Sequence, residues 1–468
     1  MQRISILPIQ ADVQAVTLPK TRLARLGLAM RRHQRVIMGL QWVVTAFYLS
    51  LLIIPVFMPV PAQDAHMVDN LRLLAQFLFW GIWWPFVMLS TMLLGRVWCG
   101  VFCPEGALTE FASRHGLRRT IPRLLRWSGW PLVTFVCITV YGQLISAAQY
   151  PQAALLLLGS ATLASIVVGL LYGWSSRVWC RYLCPVDGVF GLLAKISPLH
   201  VRVDAERWKQ DKRRLPAVNC APLINIAHMK SASACHVCGR CSGQHDAVEL
   251  ALRSPAHEIL SCSPRSVKTS EAMMLMFGMI GIATASFSWS QNATLGQIKA
   301  ALTDWLVERH WLALLQDNAP WWLLTNYPAG QDVFSWLDGL CILAFILGGG
   351  GVLGAVVLAG VWLAAHILQD PDVPWQKLSL ALVPIAGGGI FLGLSMLTLN
   401  LLSAEGVALA WVPSARGVLL TLAAGFSAYL ISRLCLPRFS WRAVAGWGMA
   451  LLPLILIVRI WLSVLQGL

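Results

Sequence analysis

The chain has 468 residues, of which 57% are hydrophobic and only 12% charged, against a soluble average near ~25% charged. That composition excludes an ordinary soluble enzyme. The formal net charge of +15 invites a nucleic-acid reading, but its distribution along the chain excludes that too.

The first 35 residues are basic and polar, with no apolar core before Val36, so no cleavable signal peptide is expected. Apolar runs long enough to span a bilayer then predict helices near 36–60, 73–95, 128–149, 153–174, 272–289, 339–367, 379–401, 415–432 and 443–466. The expected fold class is all-α, a polytopic membrane protein of about nine transmembrane helices. Four parts follow: a basic N-terminus (1–35), two similar helical hairpins (36–195), the one large soluble segment (196–271), and a second membrane block (272–468). The soluble segment is broken by Pro216, Pro222, Pro255 and Pro264.

Residues 1–35 carry seven Arg/Lys against Asp12 alone, 96–126 carry six against two acids, and 175–271 fourteen against eight. The alternating loops reverse the sign, with one against two in 61–72 and two against five in 290–338. This is the positive-inside pattern, which puts the N-terminus, 96–126 and 175–271 in the cytoplasm. Arg433, Arg438 and Arg442 mark a further cytoplasmic turn, leaving the C-terminus periplasmic. Anionic lipid head groups are the expected neighbours of the basic loops.

Each hairpin ends in a near-copy of one phrase, RVWCGVFCP at 96–104 and RVWCRYLCP at 177–185. In a helix, residues i and i+4 share a face, so Cys99 and Cys103 can address one object, as can Cys180 and Cys184. Pro104 and Pro185 disfavour helical geometry at the cysteine before them, so each phrase is expected to unwind there. Freed backbone N–H groups, with Arg96, Arg177 and Arg181 nearby, would suit an anionic iron–sulfur cluster, whose usual ligand set is four cysteines. The competing reading is four packing cysteines with arginines snorkelling to the surface.

A third thiol group, CHVCGRC, sets Cys235, Cys238 and Cys241 in C-x₂-C-x₂-C spacing, the run that wraps a cluster in bacterial ferredoxins. Zinc sites more often use C-x₂-C pairs set far apart. The fourth ligand is open: Cys220 is favoured, because an upstream thiolate can close a loop over the triplet, with His245 and Cys262 as alternatives. Nine of the twelve cysteines fall in or beside the two cytoplasmic loops, where disulfides are disfavoured. Cys137, Cys341 and Cys435 stand alone and read as packing residues.

RVWCGVFCPEGALTE and RVWCRYLCPVDGVFGLLAK resemble the paired CxxxCP motifs of the NapH/MauN/NosR-type membrane ferredoxins, over about 36–245. The resemblance implies [4Fe–4S] clusters on the cytoplasmic side of the bacterial inner membrane, with Cys99, Cys103, Cys180, Cys184, Cys235, Cys238 and Cys241 as ligands. It also implies electron delivery between the quinone pool, or a cytoplasmic donor, and a periplasmic or respiratory redox partner. Two clusters are expected, with quinone as a further candidate ligand. Family members commonly carry two complete ferredoxin runs, whereas this chain has one incomplete run, and nothing in the family accounts for 272–468.

No C-x-x-C-H, P-loop or nucleotide-binding glycine signature occurs, which disfavours c-type haem, ATP-driven transport and direct nicotinamide chemistry. Only His366 lies clearly within an apolar run, which disfavours an internal haem. The outer loop 290–338 carries Leu295, Ile298, Leu302, Trp305 and Leu306 at helical spacing, followed by Trp311, Trp321 and Trp322, consistent with an interfacial helix. The glycines of 348–360 and 387–389 suit close helix packing, a partner or a quinone cleft. Arg459, a charge in an apolar run, reaches the outer interface or marks a contact. An assembly factor that reduces copper or cofactors, and a transporter or scaffold with a structural or sensory cluster, are the alternatives to an electron carrier.

Overall fold

The computed structural model describes residues 21–59, 61, 66–437 and 440–466. Asp12 and Arg438, which entered the charge argument, lie outside them. Helix α1 (Arg22–Arg32) opens on a Thr21 cap whose hydroxyl accepts from the Ala24 N–H at 3.1 Å. The first block continues with α2 (Gln34–Phe57), α3 (Leu71–Leu94), α4 (Pro104–His115), α5 (Trp130–Leu144), α6 (Pro151–Leu171), α7 (Val178–Tyr182) and α8 (Asp187–Leu193). The second block holds α9 (Thr269–Gln291), α10 (Ala293–Glu308), α11 (Trp336–Leu368), α12 (Trp375–Ala404), α13 (Val412–Cys435) and α14 (Trp441–Gln466).

Among the described residues eight helices are long and apolar enough to cross a membrane: α2, α3, α6, α9, α11, α12, α13 and α14. The ninth expected span, 128–149, is shorter than its hydropathy suggests. α5 has 15 residues, about 22 Å of rise against a hydrocarbon core of about 30 Å. The chain turns at Ser146, with φ 48°. There the 290–338 loop covers the helix end, with the Thr325 N–H donating to Leu144 O at 2.8 Å. Tertiary capping, invisible to a hydropathy window, ends the helix.

The all-α expectation holds, with two small exceptions: a short ribbon pairing Asn326–Tyr327 with Asp332–Val333, and a longer one beside the thiol loop. Leu199, Val201 and Val203 alternate along β1 (Leu199–Val203), which pairs antiparallel with β2 (Val248–Leu252), Val201 opposite Leu250. Val201, Val237, Val248 and Leu250 form a small core that fixes the thiol loop on this ribbon.

The two membrane blocks pack directly. Thr398 on α12 donates to Gly81 O on α3 at 2.6 Å. Gly281 on α9 and Gly350 on α11 meet backbone to backbone, so at that point the glycine-rich run serves internal packing. Leu275, Met279, Val361, Ile385, Leu430 and Trp461 lie in one buried core that joins α9 and α11 to α14. In the 290–338 loop, α10 forms where the apolar spacing placed it. Leu306 turns inward, while Ile298, Leu302 and Trp305 stay exposed. Arg459 is exposed about two turns from the end of α14.

Candidate metal centre

Gly95, at φ +65°, ends α3 and turns the chain into the first cysteine phrase; a Cβ there would meet Leu199 O at 3.1 Å. Both phrases then make the same wide turn. The Cys103 N–H donates to Trp98 O at 2.9 Å, and the Cys184 N–H to Trp179 O at 2.9 Å. The duplication in sequence is thus a duplication in backbone hydrogen bonding. Cys103 is extended (φ −65°, ψ 120°), as Pro104 requires, and its Sγ caps α4 by accepting from the Gly106 N–H at 3.4 Å.

The phrases bring their thiols into one neighbourhood. Cys99 and Cys180 are buried and Cys103 and Cys184 partly so. Burial, with Cys99 and Glu105 adding to it, pushes the Cys103 thiol up to about 12. Burial also lifts Cys180 and Cys184, and Cys103 acts on both. A second neighbourhood holds the loop thiols. Burial raises Cys235 to about 12, with Cys238 and Cys220 contributing. Cys241 rises for the same reason, under the influence of Cys235, Cys238 and Cys220. Among the described residues no three Cys, His, Asp or Glu side chains converge on a point that could hold one metal ion.

The three candidates for the eighth ligand occupy different places. Cys220 lies within electrostatic reach of Cys235, Cys238 and Cys241. His245 is engaged elsewhere: Nδ1 lies 3.0 Å from Asp211 Oδ2, and its ring lies tilted against Trp208, with centroids 4.4 Å apart. Cys262 donates to Ile259 O at 3.3 Å, and its charged neighbours are Lys377, Lys195, Glu258 and Glu271.

The two neighbourhoods touch at Gly100. A Cβ there would sit 2.0 Å from His236 O and 3.0 Å from the Cys238 N, so the loop backbone rests directly on the first phrase. Each side is pinned. Gln41 donates to Gly100 O at 2.8 Å, and Gln34 to Cys238 O at 2.9 Å. Arg31 on α1 adds a bond to Ser242 O at 2.8 Å.

A family model described as a 4Fe-4S binding domain matches the chain twice, at 76–123 and at 155–203. The first match contains Cys99 and Cys103, the second Cys180 and Cys184. The chain is 30% identical over 145 residues to YccM of Escherichia coli (strain K12), which bears the name of an electron transport protein; 26% of this chain and 40% of that one are covered. It is 29% identical over 136 residues to the regulatory protein NosR of Pseudomonas aeruginosa PAO1, covering 24% and 19%. The first membrane block holds two stretches similar to a 4Fe-4S binding domain, one around each cysteine phrase. The chain spans less than half the length of either relative. No solved structure matches it.

In these two stretches the arginines are buried, not snorkelling: Arg96 is 2% exposed and Arg177 1%. Arg96 Nη2 bonds Asp187 Oδ1 at 2.5 Å and approaches Cys99 Sγ at 3.8 Å, while Nη1 donates to Ser233 O at 2.6 Å. Arg177 Nη1 donates to Cys99 O. Sequence reasoning missed their partners, Asp187 and Glu110. The available signal was weak: each is an acid in a basic loop. Burial opposes ionisation of Glu110, but Arg177, Arg240 and Arg114 outweigh it and hold the carboxyl down to about 2. Burial and the surrounding Arg96, Arg177, Arg181 and Arg240 keep His236 neutral.

The donor chemistry fits an anionic cluster. Arg96 Nε and Arg177 Nη2 are buried N–H donors with no protein partner, and such groups are costly unless something accepts from them. Thiols crowded by burial and by one another become stable thiolates on binding iron. Hydrogen bonds to sulfur and nearby cations are established means of setting a cluster's potential.

Proposed function

We propose that the protein is an iron–sulfur electron carrier of the bacterial inner membrane, with one [4Fe–4S] cluster on Cys99, Cys103, Cys180 and Cys184 and a second on Cys220, Cys235, Cys238 and Cys241. A cluster of this type supplies one-electron oxidation and reduction. The observation that supports the reading is the contact at Gly100, where the first cysteine phrase meets the backbone of His236 and Cys238 in the loop triplet. The chain's own residues do the rest: Arg96 and Arg177 neutralise charge, the two wide turns orient the cysteines, and the helices exclude water.

By the positive-inside rule both quartets face the cytoplasm. Electrons would pass between the quinone pool, or a cytoplasmic donor, and a respiratory or periplasmic partner. The purified protein should be brown, bleach with dithionite and contain about eight irons per chain. Fast reoxidation by quinone analogues supports the carrier; slow reoxidation by them, with reduction of Cu(II), supports an assembly factor. Colourless, zinc-bearing protein refutes both.

The loop assignment makes its own prediction. Cys220→Ser should abolish the loop cluster's EPR signal and spare the other. His245→Cys should leave both midpoint potentials in a redox titration unchanged, since His245 is already held by Asp211. A large shift in the loop midpoint would instead mark His245 as a ligand.

A further inference from the structure

Glu110 on α4 is 3% exposed and is met by three arginines. Arg177 Nε donates to Oε2 at 3.0 Å, Arg240 Nη2 reaches both oxygens at 2.8 and 2.9 Å, and Arg114 Nη2 donates to Oε1 at 2.9 Å. The three come from different places. Arg177 opens the second cysteine phrase, three residues before Cys180. Arg240 lies inside the loop triplet, next to Cys241. Arg114 is one turn further along α4, with a side chain 38% exposed.

Arg177 is within electrostatic reach of Cys180 and Cys103 from one quartet and Cys238 from the other. A single buried guanidinium therefore faces both sets, and Arg240 joins it through the same carboxylate.

We propose that the Arg177–Glu110–Arg240 bridge is a counter-charge shared by the two centres, and that Glu110 is the positioning residue through which their potentials are set together. The proposal rests on the two-cluster reading above. Each centre gains one negative charge on reduction, so a cation common to both favours the reduced form of both. Glu110 subtracts from that cation. Because the bridge is buried, its charges act across several ångströms in a medium of low dielectric, and salt screens them little. Three arginines against one carboxylate leave a net positive bridge. Glu110→Gln makes it more positive and Arg114→Gln less so.

The test is an EPR-monitored redox titration of the full-length, detergent-solubilised protein, with iron counted per chain for every variant. Glu110→Gln is expected to raise both midpoints, Arg114→Gln to lower both, and Glu110→Asp to stay close to the unaltered protein. A purely structural Glu110 would not raise both midpoints together, with Arg114→Gln lowering both. Two intact signals of which one or neither moves would overturn the bridge while leaving the two-cluster reading standing. Should Glu110→Gln lose a centre, Arg114→Gln, at a partly exposed position, decides alone. Iron for fewer than two centres in the unaltered protein would overturn the underlying reading, and the bridge with it.

Discussion

Replacing Cys184 with Ser is expected to remove about half the iron and one EPR signal, leaving the loop centre intact. Cys184 lies just outside α7, where its N–H is tied to Trp179 O, and its thiol neighbours are Cys180 and Cys103. No loop cysteine acts on it comparably, so none is placed to substitute. The fold should survive, because the phrase is also anchored by Arg96–Asp187 and Arg177–Glu110. Breaking such a buried pair by removing one partner costs about 3–5 kcal/mol, and this substitution breaks neither. Iron per chain should fall from about eight to about four, and the loop signal should keep its midpoint. Cys99→Ser should act the same way, with an additional loss of the Arg96 contact at 3.8 Å. If both signals survive in either variant, the four membrane-edge thiols are not ligands.

What the sequence made legible was local. The repeat of Arg-Val-Trp-Cys, the proline after each second cysteine and the C-x₂-C-x₂-C run are short-range patterns. The structure turns the first two into backbone geometry: matched hydrogen bonds at Cys103 and Cys184, and an extended Cys103. Membrane spans were legible because about 20 apolar residues are a one-dimensional signal. What failed to show were long-range pairings. Nothing in the spacing of Glu110 says that it meets Arg240, 130 residues away, or that Arg177 reaches back to Cys99 O. The snorkelling alternative for Arg96 and Arg177 fell for the same reason, since burial of a charge becomes visible only with its partner. The β1–β2 ribbon was hidden because five-residue alternation in a proline-broken segment is weak evidence by itself. The choice among Cys220, His245 and Cys262 also needed three dimensions. Only the positions of Asp211 and Trp208 show that His245 is already engaged.

Gly100→Ala should separate the two centres without emptying either. The added Cβ would lie 2.0 Å from His236 O and 3.0 Å from the Cys238 N, both backbone atoms that no side-chain rotation can clear. Neither surface yields easily, because Gln41 holds Gly100 O and Gln34 holds Cys238 O. The loop must therefore move away from the first phrase. Overpacking of this kind costs about 1–3 kcal/mol, and the cysteines proposed as ligands should keep their local turns. Iron content should stay unchanged, while the magnetic interaction between the two reduced centres in EPR weakens and electron exchange between them slows. Gly39→Ala is the matching control. It sits on α2, where an added Cβ would meet nothing within 4 Å, and alanine there favours helix, so it should raise stability by up to about 1 kcal/mol and leave coupling as it was. Unchanged coupling in Gly100→Ala, with stability also unchanged, would show that the centres communicate by some route other than the backbone contact at this glycine.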